Sequence, residues 1–230
     1  MSPVSVQQEQ LPQECREVAP SVVTLDTWRD NWDAWVNKYI QPGIREGYFD
    51  LVVEQLHDDI YHFPLFTYEF CAELIEHTEQ KANWTKDRHQ FYPTNDVLLS
   101  DLGLQQMYRR VLEVFCHPVA RMHWKLEGDR WMNTMVDESF VARYKAEEQQ
   151  SLAVHSDFSD YSFTVGLNTD FEGGGTWFPR QQILANPRGG YCTLFPSMTH
   201  PHGGRPTIRG TRYILVSFCR RANLYTDNPG

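Results

Sequence analysis

The sequence of 230 residues lacks both a long hydrophobic run and a closely spaced cysteine pair. A membrane-spanning helix needs about 20 consecutive apolar residues, and no segment approaches that length, so no membrane span is expected. The five cysteines (Cys15, Cys71, Cys116, Cys192 and Cys219) are widely separated, unlike those of a zinc ribbon or a small disulfide scaffold. We expect reduced and mostly buried thiols, because free cysteine packs as a small hydrophobic residue.

Basic residues are also scarce, with 21 Lys and Arg against 30 Asp and Glu, for a net charge of −9. This balance argues against a general nucleic-acid-binding protein. Lysine is absent from residues 173–230, where seven arginines accompany a single acidic residue, Asp227. A positive segment in an acidic protein indicates a local interaction with an anion, although most of these arginines are expected to be solvated.

Residues 1–20 are polar, contain three prolines and lack the apolar stretch of a secretory signal. We expect a flexible arm there, followed by one domain that spans residues 21–230. The chain as it stands is expected to be cytoplasmic.

Helical patterns occupy the N-terminal half of the sequence. Trp28, Trp32 and Trp35 recur at i, i+4 and i+7, which predicts one amphipathic helix whose tryptophans pack in the core. Further helices are predicted over residues 68–80 and 101–115, where apolar residues keep the same spacing.

Strand patterns begin after about residue 134. Short runs rich in β-branched and aromatic residues alternate there with glycine, proline and asparagine, and predicted strands include residues 140–145, 162–167, 191–195 and 213–219. Regularly spaced strands of this kind favour a barrel or jelly roll. We therefore predict an α+β fold, mainly β, in which N-terminal helices buttress a barrel.

The candidate functional residues are concentrated between positions 155 and 212. His155 and Asp157 precede a predicted strand, and residues i and i+2 of an extended backbone project to the same face. The segment 199–202, Thr-His-Pro-His, offers a second imidazole. One carboxylate and two neutral imidazoles form the facial triad of non-haem Fe(II) oxygenases, which leaves positions open for oxygen chemistry.

Arg212 follows His202 by ten residues, at the start of an apolar strand. An unpaired buried charge is very costly, so a guanidinium inside a barrel needs an anionic partner. A dicarboxylate co-substrate would supply one, with one end on the metal ion and the other paired bidentately with Arg212. Each of these residues alone is more often structural, but their joint order and spacing favour an oxygenase site.

Several longer motifs make the sequence similar to the procollagen lysyl hydroxylases. They are residues 140–149 (FVARYKAEEQ), His155-x-Asp157, residues 172–175 (EGGG), 199–204 (THPHGG) and 210–218 (GTRYILVSF), with 61–74 (YHFPLFTYEFCAEL) and 93–96 (PTND) upstream. The resemblance runs from about residue 28 to residue 220 and is to the catalytic domain of that family.

The resemblance implies a double-stranded β-helix, a jelly-roll or cupin-like barrel, with Fe(2+) held by His155, Asp157 and His202. It further implies that Arg212 binds the distal carboxylate of 2-oxoglutarate, that O2 is consumed and that L-ascorbate serves as reductant. His200 would be a neighbouring histidine that does not bind the metal ion.

Three more positions are assigned to the co-substrate by the resemblance alone. Tyr144 falls on a family position whose phenol contacts 2-oxoglutarate, the alternative being a packed barrel tyrosine. Thr164 stands where the family has a contacting asparagine. Arg88 corresponds to a further family arginine, although a solvated surface arginine is the alternative.

The implied activity is hydroxylation of a C–H bond of an amino-acid residue, foremost a lysyl residue in a peptide or protein, with release of succinate and CO2. Two alternatives remain open: an oxygenase for prolyl, arginyl or free amino-acid substrates, and a non-catalytic β-barrel binding protein with a relict metal site. Residues 158–162 (FSDYS) differ from the family pattern and are expected to line the mouth of the site.

The remaining expectations concern partners and compartment. Met198 lies in a segment that the family uses for self-association, so a homodimer is plausible, with a core methionine as the alternative. The family resemblance would place the protein in the lumen of the endoplasmic reticulum rather than in the cytoplasm.

Overall fold

A computed structural model of the chain describes residues 22–89, 91–124, 134–186 and 188–221, with only the backbone described at residues 134–137 and 221. The predicted arm, residues 1–20, lies outside the described residues. Within those ranges no helix combines the length and the apolar character that crossing a bilayer requires.

The helices are concentrated in the N-terminal half. They are a 3-10 helix at Leu25–Arg29 and α1 Trp32–Tyr39, α2 Pro42–Arg45, α3 Phe49–Val52, α4 Tyr68–Lys81, α5 Gln105–Val111 and α6 His117–His123. The helix predicted over residues 68–80 is confirmed as α4. It starts behind Thr67, whose side chain caps it by accepting the Phe70 N–H at 3.3 Å.

The prediction of a single helix through the three tryptophans was wrong. Trp28 lies in the 3-10 helix, and α1 begins only after Asn31, whose side chain accepts the Ala34 N–H at 3.0 Å. This cap starts a new helix because an N-cap residue takes an extended, non-helical backbone. The expected packing is nevertheless confirmed, since Trp35 is fully buried and Trp32 stacks on it at 5.3 Å.

The helix predicted over residues 101–115 has different bounds in the structure. Gly103 adopts a positive φ of 76°, which interrupts a right-handed helix, and α5 therefore starts at Gln105. A π turn, Leu112–Cys116, then carries the helical path onward into α6. Pro118 follows this turn and has no N–H to donate. The backbone hydrogen bond that residue 118 would donate in a regular α-helix is therefore missing.

The strands are β1 Glu54–His57, β2 Ile60–Pro64, β3 Asp96–Leu98, β4 Thr134–Lys145, β5 Leu152–His155, β6 Tyr161–Gly166, β7 Glu172–Gly173, β8 Thr176–Phe178, β9 Ile183–Ala185, β10 Tyr191–Pro196, β11 His202–Gly204, β12 Thr207–Arg209 and β13 Thr211–Arg221. The four predicted strands are confirmed as β4, β6, β10 and β13, with somewhat different ends.

Two main antiparallel sheets form the predicted jelly roll. The larger has the order β1-β2-β10-β6-β13-β4-β3 and the smaller has the order β5-β11-β8-β9, while β12 and β7 pair separately. Sequence neighbours such as β4 and β5 lie in different sheets, which is the crossover pattern of a double-stranded β-helix. The predicted fold class is confirmed.

Strict alternation divides the larger sheet into two faces. Val141 and Leu215 belong to the core formed with the helices, whereas Ala142 and Val216, one residue further along, belong to a separate apolar cluster. Because side chains alternate along a strand, β4 and β13 present one face to the helices and the other to the barrel interior. The helices therefore cover the outside of the sheet, and the site lies on its inside.

Four of the five cysteines fall within the described residues. Cys71, Cys116, Cys192 and Cys219 are buried and are not joined by disulfides, as expected from their spacing. Burial also raises the pKa of the Cys71 thiol to about 12, so this cysteine is unreactive at neutral pH. Cys15 lies outside the described residues.

Candidate active site

A cavity of about 780 Å³ lies between the two main sheets. Strands β4, β6 and β13 of the larger sheet line it together with β5, β8 and β11 of the smaller sheet. Its lining includes all the residues predicted for the site, namely Arg88, Tyr144, His155, Asp157, Thr164, His202 and Arg212. The structure thus brings these side chains together, while their binding roles remain predictions.

His155, Asp157 and His202 converge at one end of the smaller sheet. His155 ends β5 and His202 begins β11, and the two residues lie directly opposite each other in the antiparallel ladder. The Nε2 atoms of His155 and His202 lie 3.2 and 3.6 Å from the Asp157 carboxylate oxygens. One potential ligand atom from each of the three side chains lies within 4.8 Å of the other two, a spacing suited to a shared metal ion.

Backbone carbonyls determine which nitrogen each imidazole presents. His155 Nδ1 lies 2.9 Å from the Ala153 carbonyl oxygen, and His202 Nδ1 lies 3.0 Å from that of His200. A carbonyl oxygen only accepts hydrogen bonds, so each Nδ1 carries a proton. The neutral form of each ring then presents its Nε2 lone pair for a metal ion, whereas a protonated His155 donates from Nε2 to Asp157. Metal-binding histidines are held in this way. His200 thus contributes its backbone, while its own imidazole contacts Thr199 Oγ1 at 3.0 Å.

The charges of the cluster favour a cation. Burial would raise the pKa of Asp157, but the hydrogen bonds from His155 and Ser162 and the nearby His202 lower it below its ordinary value. Burial lowers the pKa of His202 and keeps that ring neutral. Burial would also lower the pKa of His155, but its bonds to Asp157 and Ala153 raise it above the ordinary value.

Three buried serines behind Asp157 were not predicted as site residues. Ser162 Oγ lies 2.6 Å from Asp157 Oδ2, Ser197 Oγ lies 2.7 Å from Ser162 Oγ, and Ser159 Oγ lies 2.9 Å from Ser197 Oγ. Serine is common, and Ser197 is 35 residues from Ser162 in sequence. The expectation that residues 158–162 line the mouth was correct for Phe158 only, since Ser159, Tyr161 and Ser162 are buried.

Arg212 lies in the same cavity without an acidic partner. Its side chain is 2% exposed, and its nearest polar contact is Thr176 Oγ1 at 3.5 Å from Nη2. Over the described ranges, no carboxylate comes within ion-pair distance of its guanidinium. Burial lowers the pKa of Arg212 below its ordinary value. A buried charge costs free energy unless it is paired, so an anionic ligand would stabilise this arginine.

The glycine triplet explains how the backbone fits around this arginine. Gly174 has a φ of +70°, and a Cβ atom added to it would lie 2.9 Å from both Arg212 Cδ and Phe171 Cε2. Only glycine combines that backbone conformation with so close an approach. The motif at residues 172–175 therefore packs directly on the stem of Arg212.

Tyr144 and Thr164 flank the space beside Arg212. Tyr144 faces Arg212 across the β4–β13 ladder and is buried, and burial raises the pKa of its phenol to about 12. The phenol is therefore neutral at pH 7. Thr164 lies on β6 opposite Val216, with its side chain on the cavity face. That both residues contact a co-substrate remains a prediction.

Arg88 lines the cavity but is already paired with acids. Its Nη1 atom lies 2.9 Å from Asp96 Oδ1, and its Nη2 atom makes an ion pair with Glu138. Asp96 is fully buried, so Arg88 neutralises a charge inside the cavity wall. The solvated-surface alternative for Arg88 was wrong, and its proposed contact with the co-substrate remains a prediction.

Aromatic side chains surround the histidines and the cavity mouth. The ring of Tyr92 stacks on that of His155 with centroids 4.9 Å apart, and the ring of Phe195 lies edge-on to that of His202 at 4.6 Å. Phe91 and Phe158 line the same cavity but are 85% and 84% exposed. Phe158 was expected at the mouth, whereas the rings of Phe91, Tyr92 and Phe195 were not predicted, because aromatic residues are frequent in any core.

A family model described as "OGFOD2-like domain" matches residues 16–129. Human procollagen-lysine,2-oxoglutarate 5-dioxygenase 1 is 34% identical over 229 residues, covering 88% of this chain and 31% of the relative. The rat multifunctional procollagen lysine hydroxylase and glycosyltransferase LH3 is 35% identical over 210 residues, covering 84% of this chain and 28% of the relative. This chain is therefore similar to 2-oxoglutarate- and iron-dependent oxygenases. It spans less than a third of the length of these curated relatives.

Solved structures of other oxygenases share the fold. The collagen prolyl hydroxylase of Paramecium bursaria Chlorella virus-1 aligns with a TM-score of 0.52 at 18% identity, covering 73% of this chain and all of that one. A prolyl 4-hydroxylase from Phytophthora capsici aligns with a TM-score of 0.55 at 15% identity, covering 92% of this chain and 71% of that one. These structures support the double-stranded β-helix predicted for this chain.

The cofactors of the oxygenase family fit the residues present. Two imidazoles that present Nε2 lone pairs and one ionised carboxylate suit Fe(II). The buried and unpaired Arg212 suits the distal carboxylate of 2-oxoglutarate. Both sites open into one cavity.

Proposed function

We propose that this chain hydroxylates a C–H bond of an amino-acid residue, foremost a lysyl residue in a peptide or protein, and converts 2-oxoglutarate to succinate and CO2. One observation carries the proposal: the His155–Asp157–His202 cluster, in which Asp157 and His202 are buried, shares its cavity with the buried guanidinium of Arg212, which has no acidic partner within the described residues. One oxygen atom of O2 enters the product alcohol and the other enters succinate, so the reaction is balanced.

Each group has a distinct task in the proposed reaction. His155, Asp157 and His202 would hold Fe(II), which supplies the activation of O2 that no side chain can provide. Arg212 binds and orients 2-oxoglutarate by its distal carboxylate, and the neutral phenol of Tyr144 can donate a hydrogen bond to the same group. The apolar walls formed by Phe140, Val216 and their neighbours exclude water from the reacting centre.

A lysyl residue of a basic peptide is the target that we propose. Procollagen-lysine dioxygenases are among the relatives, which supports a lysyl target, and the acidic net charge of the chain suits a basic peptide. A homodimer and the compartment remain predictions. Met198 is 65% exposed, so the core alternative for this residue was wrong and the side chain is accessible for self-association.

Turnover of 2-oxoglutarate tests the proposal. The purified protein with Fe(II), ascorbate and 2-oxoglutarate should form succinate, and Asp157→Ala should abolish it. A panel of peptides that contain lysine, proline or arginine should then show, by mass spectrometry, one added oxygen atom on the target residue. Oxygen added to proline alone would refute the lysyl assignment. Failure to bind Fe(II) and 2-oxoglutarate under anaerobic conditions would refute the proposal that the chain is an oxygenase.

A further inference from the structure

The three serines behind Asp157 form one connected chain of hydroxyl groups. Ser162 lies on β6, Ser197 directly follows β10, and Ser159 lies in the turn after Asp157. All three are at most 1% exposed. We call Ser159, Ser197 and Ser162 the serine relay.

The direction of every hydrogen bond in the serine relay is determined by the carboxylate. An ionised carboxylate has no proton to donate, so Ser162 donates to Asp157 Oδ2 at 2.6 Å. The hydroxyl of Ser197 must then donate to Ser162 at 2.7 Å, and that of Ser159 donates to Ser197 at 2.9 Å. Ser159 Oγ also lies 3.4 Å from Ser162 Oγ, so the three hydroxyls form a compact cluster. Within it the hydroxyls of Ser197 and Ser162 align toward Asp157, and such alignment strengthens both bonds.

The serine relay also joins three separate segments around the carboxylate. The pairing of Phe195 with Ser162 in the β10–β6 ladder brings Ser197 next to β6, and the Ser197 N–H donates to the Asp160 carbonyl at 3.1 Å. The turn that carries Asp157 and Ser159 is thereby tied to two strands of the larger sheet. His155 and His202 are set by the smaller sheet, so the serine relay positions Asp157 against them.

We propose that the serine relay positions Asp157 so that it offers one carboxylate oxygen to the cation, with the other oxygen held by Ser162. This inference rests on the proposed function. It assigns Ser162, Ser197 and Ser159 as positioning residues, because none of them forms part of the metal-binding cluster itself. A carboxylate that turned to bind through both oxygens would occupy a position needed by 2-oxoglutarate or O2.

Cobalt(II) binding to the full chain tests the serine relay without any turnover. Affinity and visible absorption should be measured for the wild type, Ser162→Ala, Ser162→Thr and Ser197→Ala. Loss of a partner that supports a metal ligand costs roughly 10- to 100-fold in affinity, so we expect that loss and an altered spectrum for Ser162→Ala. Ser162→Thr retains the hydroxyl and should restore both, and Ser197→Ala should show a smaller loss.

Ser139→Ala is the matched control. Ser139 is fully buried on β4, which is separated from β6 by β13, and its hydroxyl has no hydrogen-bond partner within the described part of the chain. It should bind cobalt like the wild type. Cobalt binding by Ser162→Ala that equals binding by Ser139→Ala would overturn the inference. If Ser162→Ala does not fold, unchanged binding by Ser197→Ala overturns it instead. A wild type that binds no cobalt refutes the proposed metal site itself.

Discussion

Arg212 and Tyr144 lie directly opposite each other on β13 and β4, and the guanidinium carbon of Arg212 is 5.5 Å from the centre of the Tyr144 ring. The electron-rich ring face partly compensates the buried cation, but it does not replace a carboxylate. The barrel interior therefore contains a positive charge that an anionic ligand can neutralise. The charge of Arg212 is therefore expected to favour ligand binding and to lower the stability of the ligand-free protein.

Replacement of Arg212 by Met should weaken the binding of 2-oxoglutarate. Two charge-assisted hydrogen bonds would be lost, about 3 kcal/mol in total, or on the order of 100-fold in affinity. Isothermal titration with 2-oxoglutarate in the presence of cobalt(II) measures the change. Arg209→Met, which removes an exposed arginine paired with Glu172, should leave the affinity unchanged, and an equal loss in both variants would contradict the assignment.

The same Arg212→Met substitution should stabilise the ligand-free protein. A buried cation without an anionic partner costs free energy, and an apolar side chain of similar volume removes that cost, for a gain of roughly 1–3 kcal/mol. Thermal unfolding with and without 2-oxoglutarate measures the effect. The wild type should gain stability from 2-oxoglutarate and the variant should not. A lower Tm for the ligand-free variant would show that the charge of Arg212 supports the fold.

Removal of the cation should leave a pH-dependent pair between His155 and Asp157. The pKa of His155 is raised, so its contribution to stability is complete below the unfolded-state pKa of about 6.5 and is lost as the pH rises through the higher folded-state value. The pKa of Asp157 is lowered, so its contribution is lost only as the pH falls through that lowered value.

His155→Gln should therefore lower the Tm of the chelator-treated protein at mildly acidic pH and have less effect at alkaline pH. Unfolding curves for the wild type and the variant across this range provide the test. His77→Gln is the control, because His77 Nε2 hydrogen-bonds with the Leu102 carbonyl and the residue does not line the cavity. A difference between wild type and His155→Gln that grew toward alkaline pH would reverse the expected sign.

Replacement of Arg88 by Gln should mainly affect stability. Asp96 is fully buried and would lose its cationic partner, which costs about 3–5 kcal/mol when a buried pair is broken. Urea unfolding measures the loss, and Arg45→Gln, which breaks the more exposed pair with Glu46, should change stability by less than about 1 kcal/mol. A large rise in the KM for 2-oxoglutarate without loss of stability would instead favour the co-substrate contact.

Most of the barrel could be predicted from the sequence because its strands are rich in β-branched and aromatic residues and are bounded by glycine, proline and asparagine. Which face each residue occupies was not evident, since Val141 and Ala142 are both apolar and both buried but lie on opposite faces. The helix ends were harder to predict, because Gly103 and Asn31 act through backbone geometry that spacing does not reveal.

The site was predictable where chemistry restricts the residue type. A metal-binding cluster needs imidazoles and carboxylates, and a buried guanidinium needs an anion, so His155, Asp157 and Arg212 stand out in sequence. The serine relay and the Arg88–Asp96 pair do not, because serines and ion pairs are frequent everywhere. Ser197 reaches Ser162 only through the pairing of β10 with β6.

Phe158 should determine how well the target substrate binds. The residue directly follows Asp157, lines the cavity at 84% exposure, and its carbonyl accepts a hydrogen bond from Arg220 Nη2 at 2.9 Å, which fixes the turn. Phe158→Ala should raise the KM for a peptide target roughly tenfold, because a large apolar contact is lost. The KM for 2-oxoglutarate and the Tm should hardly change, since an exposed side chain contributes little to stability.

Leu51→Ala, which truncates a side chain of 82% exposure on α3 away from the cavity, is the control. Equal effects of Phe158→Ala on peptide and 2-oxoglutarate would place Phe158 in the co-substrate site instead of at the entrance for the target.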